Sequence, residues 1–297
     1  MRALLRAGLR RDLHSIYTWL ALLICLLCGL IPMPAFKLYD GEFGGMDTGT
    51  VVLALLLSMG VTVVLRLMRG ASEQESGMSR NKLIGGASKG ELLLAELIIA
   101  CGTSAVQCIL TACPILFAAL MHVQFFDEAA AFRFFLIYLC SYLFFAVLMT
   151  LVWYYAPSAA AVIIVGSSLC AVICLGGMLL SEKLSLPQYY IRQTDIVKDE
   201  KGRMISHREE RDINPEALHG RLRTVCQAVD TVNPFITTMR SVNLIDLYQY
   251  PEQYRFPRAE EKIEEKRTLC YRPASVFGLT LLLFAGGMLF APGKNFN

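Results

Sequence analysis

Six runs of apolar residues, each close to the length that crosses a lipid bilayer, restrict what this 297-residue chain can fold into. A helical span needs about 20 apolar residues at a rise of about 1.5 Å each. The runs lie near 16–33, 51–67, 92–121, 134–155, 159–180 and 274–291. Inside lipid only helices and closed barrels satisfy their own backbone polar groups. These runs lack strict alternation and have helical lengths. The sequence therefore predicts an all-α polytopic transmembrane helix bundle of about six spans. Pro114, inside the third run, predicts a kink.

Charge divides the chain into two materials. Of the 53 Asp, Glu, Lys and Arg residues, 31 fall within 181–272, so the rest of the chain is nearly free of charge. Lys and Arg in the connecting segments set orientation, because they accumulate on the cytoplasmic side. The N-terminal segment has Arg2, Arg6, Arg10 and Arg11. The second connection has Arg66, Arg69, Arg80, Lys82 and Lys89. The intervening connections are acidic: Lys37 stands against Asp40, Glu42 and Asp47, and Arg133 against Asp127 and Glu128. The tail carries Lys294. This alternation predicts both termini cytoplasmic and the 181–272 insertion outside. The basic start resembles a signal peptide. Its apolar run is longer than such peptides use, and no small-residue cleavage site follows, so the sequence predicts an uncleaved first span.

The insertion is long enough for a small domain. Residues 189–197 and 203–207 flank Lys198-Asp199-Glu200-Lys201-Gly202 and predict a hairpin. Asn214-Pro215-Glu216 predicts a helix start, running to 232 and ending at Asn233-Pro234. A second helix is expected over 235–247 and an exposed, charge-dense one over 258–270. The expected organisation is thus five spans over 1–180 with a loop at 68–91. A small α+β extracellular domain follows over 181–272, between spans five and six. The last span and a short tail occupy 273–297.

Few residues carry recognisable chemistry. Gly85-Gly86-Ala87-Ser88-Lys89-Gly90 is rich in Gly, but its spacing is not that of a phosphate loop and no strand precedes it. His14, His122, His207 and His219 are scattered, with no metal or catalytic spacing. Cys25-x-x-Cys28 sits mid-run with no His or carboxylate nearby, where Cys acts as a small hydrophobe. Cys226 and Cys270 are the two cysteines of the insertion; they either pair in an oxidising exterior or stay as thiols. A net charge of +3 and the lack of a basic tract with interleaved aromatics argue against nucleic acid. No catalytic residue, metal site or cofactor site is expected in this chain. Glu96 is the one carboxylate inside an apolar run. It is read either as an interfacial residue or as a coupling contact.

The most informative stretch is 73–96, E-Q-E-S-G-M-S-R-N-K-L-I-G-G-A-S-K-G-E-L-L-L-A-E. Glycines bracket a short polar-then-apolar piece, Met78, Ser79, Arg80, Asn81, Lys82, Leu83 and Ile84, suited to docking a soluble partner. The run Gly77–Ile84, after acids and before Gly-x-Ser-Lys, resembles the cytoplasmic loop of ABC type-2 (exporter) transporter permeases. Asn214-Pro215, Gly220-Arg221 and Asn233-Pro234 are similar to the external region of bacterial six-span members, as is the large insertion between spans five and six. The resemblance implies a membrane-spanning permease subunit of an exporter in a bacterial plasma membrane, without its own ATPase site. ATP would sit on a separate ABC ATPase subunit, with residues 78–84 as the segment coupled to it. The stretch 2–13 would lie along the inner membrane surface and support that contact. A second permease subunit, the same or related, would complete the pathway. Small residues Gly166, Ser167, Ser168, Gly176, Gly177, Gly286 and Gly287 would permit close helix contact.

Two rival functions remain at this stage. The insertion also suits an extracellular ligand-sensing or peptide-resistance module with little net transport. A membrane-embedded enzyme would need His, Asp or Glu clustered at helix ends, and no such cluster is legible in the sequence.

Overall fold

The computed structural model describes residues 1–32, 48–77, 82, 84, 86–122, 128–186, 188–198, 204–249 and 273–291. Helix α1 (Arg2–His14) and helix α2 (Ile16–Leu30) meet at an elbow of 67°. Then come α3 (Thr48–Glu75), α4 (Lys89–His122) and α5 (Glu128–Tyr155). Helix α6 (Ala159–Ala171), a π turn (Val172–Gly176) and α7 (Gly177–Ser185) form one continuous rod. Strands β1 (Tyr189–Lys198) and β2 (Met204–Ile213), helices α8 (Gly220–Val232) and α9 (Pro234–Gln249), and α10 (Pro273–Phe290) complete the order. Five helices are long and apolar enough to cross a membrane, or six spans if the bent α1–α2 pair counts as one. The chain is a multi-pass membrane protein.

Helix α5 is the axis of the bundle. Of its most apolar window 61% is buried, against 11% for the α6–α7 rod and 17% for α10. Phe134, Ile137, Tyr138, Tyr142, Met149 and Tyr154 of α5 are among the largest fully buried side chains. Close approach around this axis depends on glycine. A Cβ at Gly29 of α2 would lie 2.7 Å from the Leu110 and Thr111 carbonyl oxygens of α4, and one at Gly70 of α3 would lie 2.5 Å from the Trp153 ring of α5. Gly166 packs on Leu67, Gly287 on Leu151 and Gly177 on Asn233, whereas nothing lies near a Cβ at Gly176 or Gly286. Ser167 and Ser168 are exposed. The small residues of spans five and six thus divide into contact sites and bystanders.

Several boundaries differ from the sequence expectation. The second span, expected to end at 67, continues two turns further as α3 to Glu75, so the expected 68–91 loop begins as helix. Ion pairs made by Arg69 and Glu73 hold these turns. Helix α4 starts at a capping box: Glu91 N–H donates to Ser88 Oγ (3.2 Å), and Ser88 N–H donates to Glu91 Oε2 (3.2 Å). The Gly-rich segment therefore serves as a helix start. Helix α4 continues through Pro114 without interruption. Asn214 caps no helix; its Oδ1 accepts from Glu216 N–H in a turn, and α8 begins only at Gly220.

The insertion does not stand apart as an α+β domain among the described residues. Its β-structure there is one antiparallel hairpin, Tyr189 pairing with Ile213 and Lys198 with Met204. A two-stranded hairpin alone supplies no core. Helices α8 and α9 pack onto the spans instead. Ser141 Oγ donates to Pro234 O (3.1 Å) and shares a hydrogen bond with Thr238 Oγ1 (2.8 Å). Ser141 lies about 20 Å along α5 from Glu128, at about 1.5 Å per residue, so the α8–α9 corner reaches deep into the bundle. Asn233 fixes this corner. Its Oδ1 accepts from Phe235 N–H (3.0 Å) and Ile236 N–H (3.2 Å), capping α9. Its Nδ2 donates to Ile173 O (2.9 Å) inside the π turn, where the helical ladder is interrupted. Asp230 and Arg240 form an ion pair across the corner. Cys226 is a free thiol, while Cys270 and the expected helix at 258–270 lie outside the described residues.

Candidate functional site

Residues Arg66, Arg69 and Glu73 follow one another at intervals of three and four on α3, and therefore on one helix face. That face meets α1 and α4 where the apolar runs end, and charge collects there. Asp12, Glu73 and Glu96 are only 4%, 4% and 5% exposed. Arg69 Nη1 donates to Asp12 Oδ2 (2.5 Å) and Arg69 Nη2 to Glu96 Oε2 (3.0 Å). Arg11 reaches Glu73 Oε1 (2.5 Å) and Glu96 Oε1 (3.3 Å). Lys82 Nζ lies 2.9 Å from Glu96 Oε1 and 3.7 Å from Glu73 Oε2. Carboxylates withdrawn from water at such depth are tolerated only when paired and hydrogen-bonded. Here three carboxylates share three cations in a closed network.

The network joins four pieces of chain that the spans alone would not hold together. Helix α1 is clasped through Arg11 and Asp12, and Gly8 packs against Ile99 of α4. The elbow after it is fixed by Trp19 Nε1, which donates to Leu13 O (2.8 Å). Arg2, Arg6 and Arg10 face outward with the exposed Leu9 and Leu13, as in a helix lying in a membrane interface. The fourth piece is Lys82, on the segment 78–84 singled out by the sequence.

Of that segment, Lys82 and Ile84 are described; Met78, Ser79, Arg80, Asn81 and Leu83 lie outside the described residues. Lys82 turns inward to the network, and Ile84 is 76% exposed. Glu96 is not at a solvated end: it is buried two turns into α4 and binds Lys82 directly. Arg11, Asp12, Arg69 and Glu73 escaped the sequence reading. For Arg69 and Glu73 the signal was the continuation of the Arg66, Arg69 and Glu73 face past the apolar run; Arg11 and Asp12, on α1, had none.

Beside the network lies a cavity of about 400 Å³ between the α1–α2 elbow, α3 and α4. Among the described residues no group of His, Cys, Asp or Glu is arranged to hold a metal ion. Comparison of the chain with protein-family models finds no match, and neither does comparison with curated proteins.

Proposed function

We infer that the chain is the membrane-spanning permease subunit of an ATP-binding cassette exporter, coupled to a separate ATPase subunit. The observation that carries this reading is the two-sided placement of the segment 78–84: Lys82 is bound to Glu96 and Glu73, while Ile84 projects bare. A force applied to the exposed side of such a segment reaches α1, α3 and α4 through one network. That is the mechanical requirement for a partner's closure to reorient spans. The resemblance of Gly77–Ile84 to the coupling loop of type-2 permeases supplies the identity of the partner. In this reading the network end of the bundle is cytoplasmic, in a bacterial plasma membrane, and the β1–β2 hairpin is external. A second permease subunit packs against the lipid-facing rods α6–α7 and α10.

The test is affinity purification of the tagged chain from native membranes in mild detergent. An ABC ATPase co-purifies with the wild type and is lost from Ile84→Asp, whose side chain is solvent-exposed and whose substitution leaves the bundle intact. Absence of any ATPase from the wild-type preparation, or its full retention by the variant, contradicts the reading.

A further inference from the structure

Among the described residues, the cavity beside the charge network has one cation that the network does not neutralise. Asp12, Glu73 and Glu96 are engaged by Arg11, Arg69 and Lys82. Arg66 lines the cavity, and among the described residues no carboxylate pairs with it. Among the described residues four cations therefore stand against three carboxylates, leaving one positive charge at this site. Arg66 Nη2 donates to Ala100 O (3.0 Å), which anchors the side chain and leaves further guanidinium donors. An arginine half-buried in a membrane protein without an anion is costly, so the arrangement calls for one.

Asp12 and Glu73 also line the cavity, but they are held by Arg69 and Arg11, and several of the remaining polar groups in the wall are donors. Ser15, Thr18 and Ser72 present hydroxyls that have no hydrogen-bond partner among the described residues. Gln107 Oε1 accepts from Thr62 Oγ1 (3.0 Å), which leaves the Gln107 amide nitrogen to donate. A guanidinium fork with hydroxyl and amide donors matches a phosphate, which accepts on several oxygens. The rim is apolar and exposed. Tyr17 and Met68, which also line the cavity, are 60% and 51% exposed, and Val64, one turn from Met68 on α3, is 53% exposed. A soluble anion has no use for such a rim, whereas acyl chains do. Exposed Arg6 and Arg10 on the interfacial helix would raise the local concentration of anionic lipid.

We propose that this cavity binds the phosphate of an anionic phospholipid from the adjoining leaflet, with Arg66 as its cation and the acyl chains lying over Tyr17, Val64 and Met68. The site does not depend on an ATPase partner, so its failure and the failure of the transport reading are separately observable.

Two measurements on the full chain test it. Native mass spectrometry after delipidation counts retained phosphatidylglycerol, phosphatidylcholine of the same chains, and inorganic phosphate. The wild type retains one phosphatidylglycerol in preference to the other two. Arg66→Gln weakens this at least tenfold, Arg66→Lys restores part of it, and Lys183→Gln, at an exposed position on α7 outside the cavity wall, leaves it within twofold. Equal retention by wild type and Arg66→Gln overturns the proposal, as does inorganic phosphate competing with the lipid at equal concentration. Should Arg66→Gln fail to fold, the wild type decides. Trp19 is 57% exposed beside Thr18, and Trp153, the other tryptophan, is 5% exposed. Brominated phosphatidylglycerol should quench Trp19 at a lower mole fraction than brominated phosphatidylcholine. Identical quenching curves contradict the proposal.

Discussion

Lys82 and Glu96, fourteen residues apart in the chain, meet at 2.9 Å and tie a short connecting segment to helix α4. Glu96 also receives Arg11 and Arg69, so a single carboxylate joins α1, α3, α4 and the segment between them.

Removing that carboxylate takes one partner from each of three cations. Breaking a buried pair by deleting one partner costs about 3–5 kcal/mol where water is fully excluded. The arginine and lysine side chains here are 19–26% exposed, so the lower end applies. Glu96→Gln is expected to lower stability by about 3 kcal/mol, read as a fall in the melting temperature of the detergent-solubilised protein. Glu91→Gln, at an exposed cap, is expected to shift it far less.

Lys82→Met should keep the bundle and release the segment. The charge-assisted hydrogen bond to Glu96 is worth about 1.5 kcal/mol or more, which corresponds to roughly tenfold in an opening equilibrium. Amide hydrogen exchange at Lys82 and Ile84 should accelerate by about that factor, while exchange in α5 stays unchanged. Unchanged exchange at 82 and 84 would mean that Lys82 is not the tether.

The outlines of the bundle were legible because lipid imposes length and composition on every span. The runs at 51–67, 92–121 and 134–155 each fall inside an observed helix. Glu96 stood out in the sequence because it interrupts an apolar run, but its partners did not. Arg11 and Asp12 are 85 and 57 residues from the groups they bind, and nothing local couples them. The depth of α9 was hidden for a related reason. Asn233-Pro234 reads as a helix boundary whether it lies in water or against α5. Only the contacts of Ser141 and Ile173 show that it lies within the bundle.

The corner at Asn233 offers a separable test. Asn233→Asp retains the cap of α9 and loses the Nδ2 donor to Ile173, whereas Asn233→Ala loses both. Loss of a helix cap costs about 1 kcal/mol, and a buried acceptor left unpaired adds about 1–3 kcal/mol. Thermal unfolding should therefore rank wild type above both variants. Cysteine labelling of Ile213→Cys, an exposed position beyond the corner, should be unchanged.

Helix α2 is held on α4 by the absence of a side chain at Gly29, and by Thr111 Oγ1 donating to Cys25 O (3.1 Å). Gly29→Val would push against backbone, which cannot give as a flexible side chain does. Such overpacking is expected to cost about 1–3 kcal/mol and to lower the yield of folded protein in membranes. Gly60→Ala on α3, with nothing within 4 Å of its Cβ, should be neutral by the same assay.

The central claim is that the exposed side of the 78–84 segment docks an ATPase, and site-specific photo-crosslinking from position 84 tests it most directly. With benzoylphenylalanine replacing Ile84 in native membranes, the account predicts an adduct containing a peptide of an ATP-binding cassette protein, with a yield that changes when ATP is added. An adduct only to lipid or to this chain itself, with the full-length protein expressed at its normal level, would contradict it.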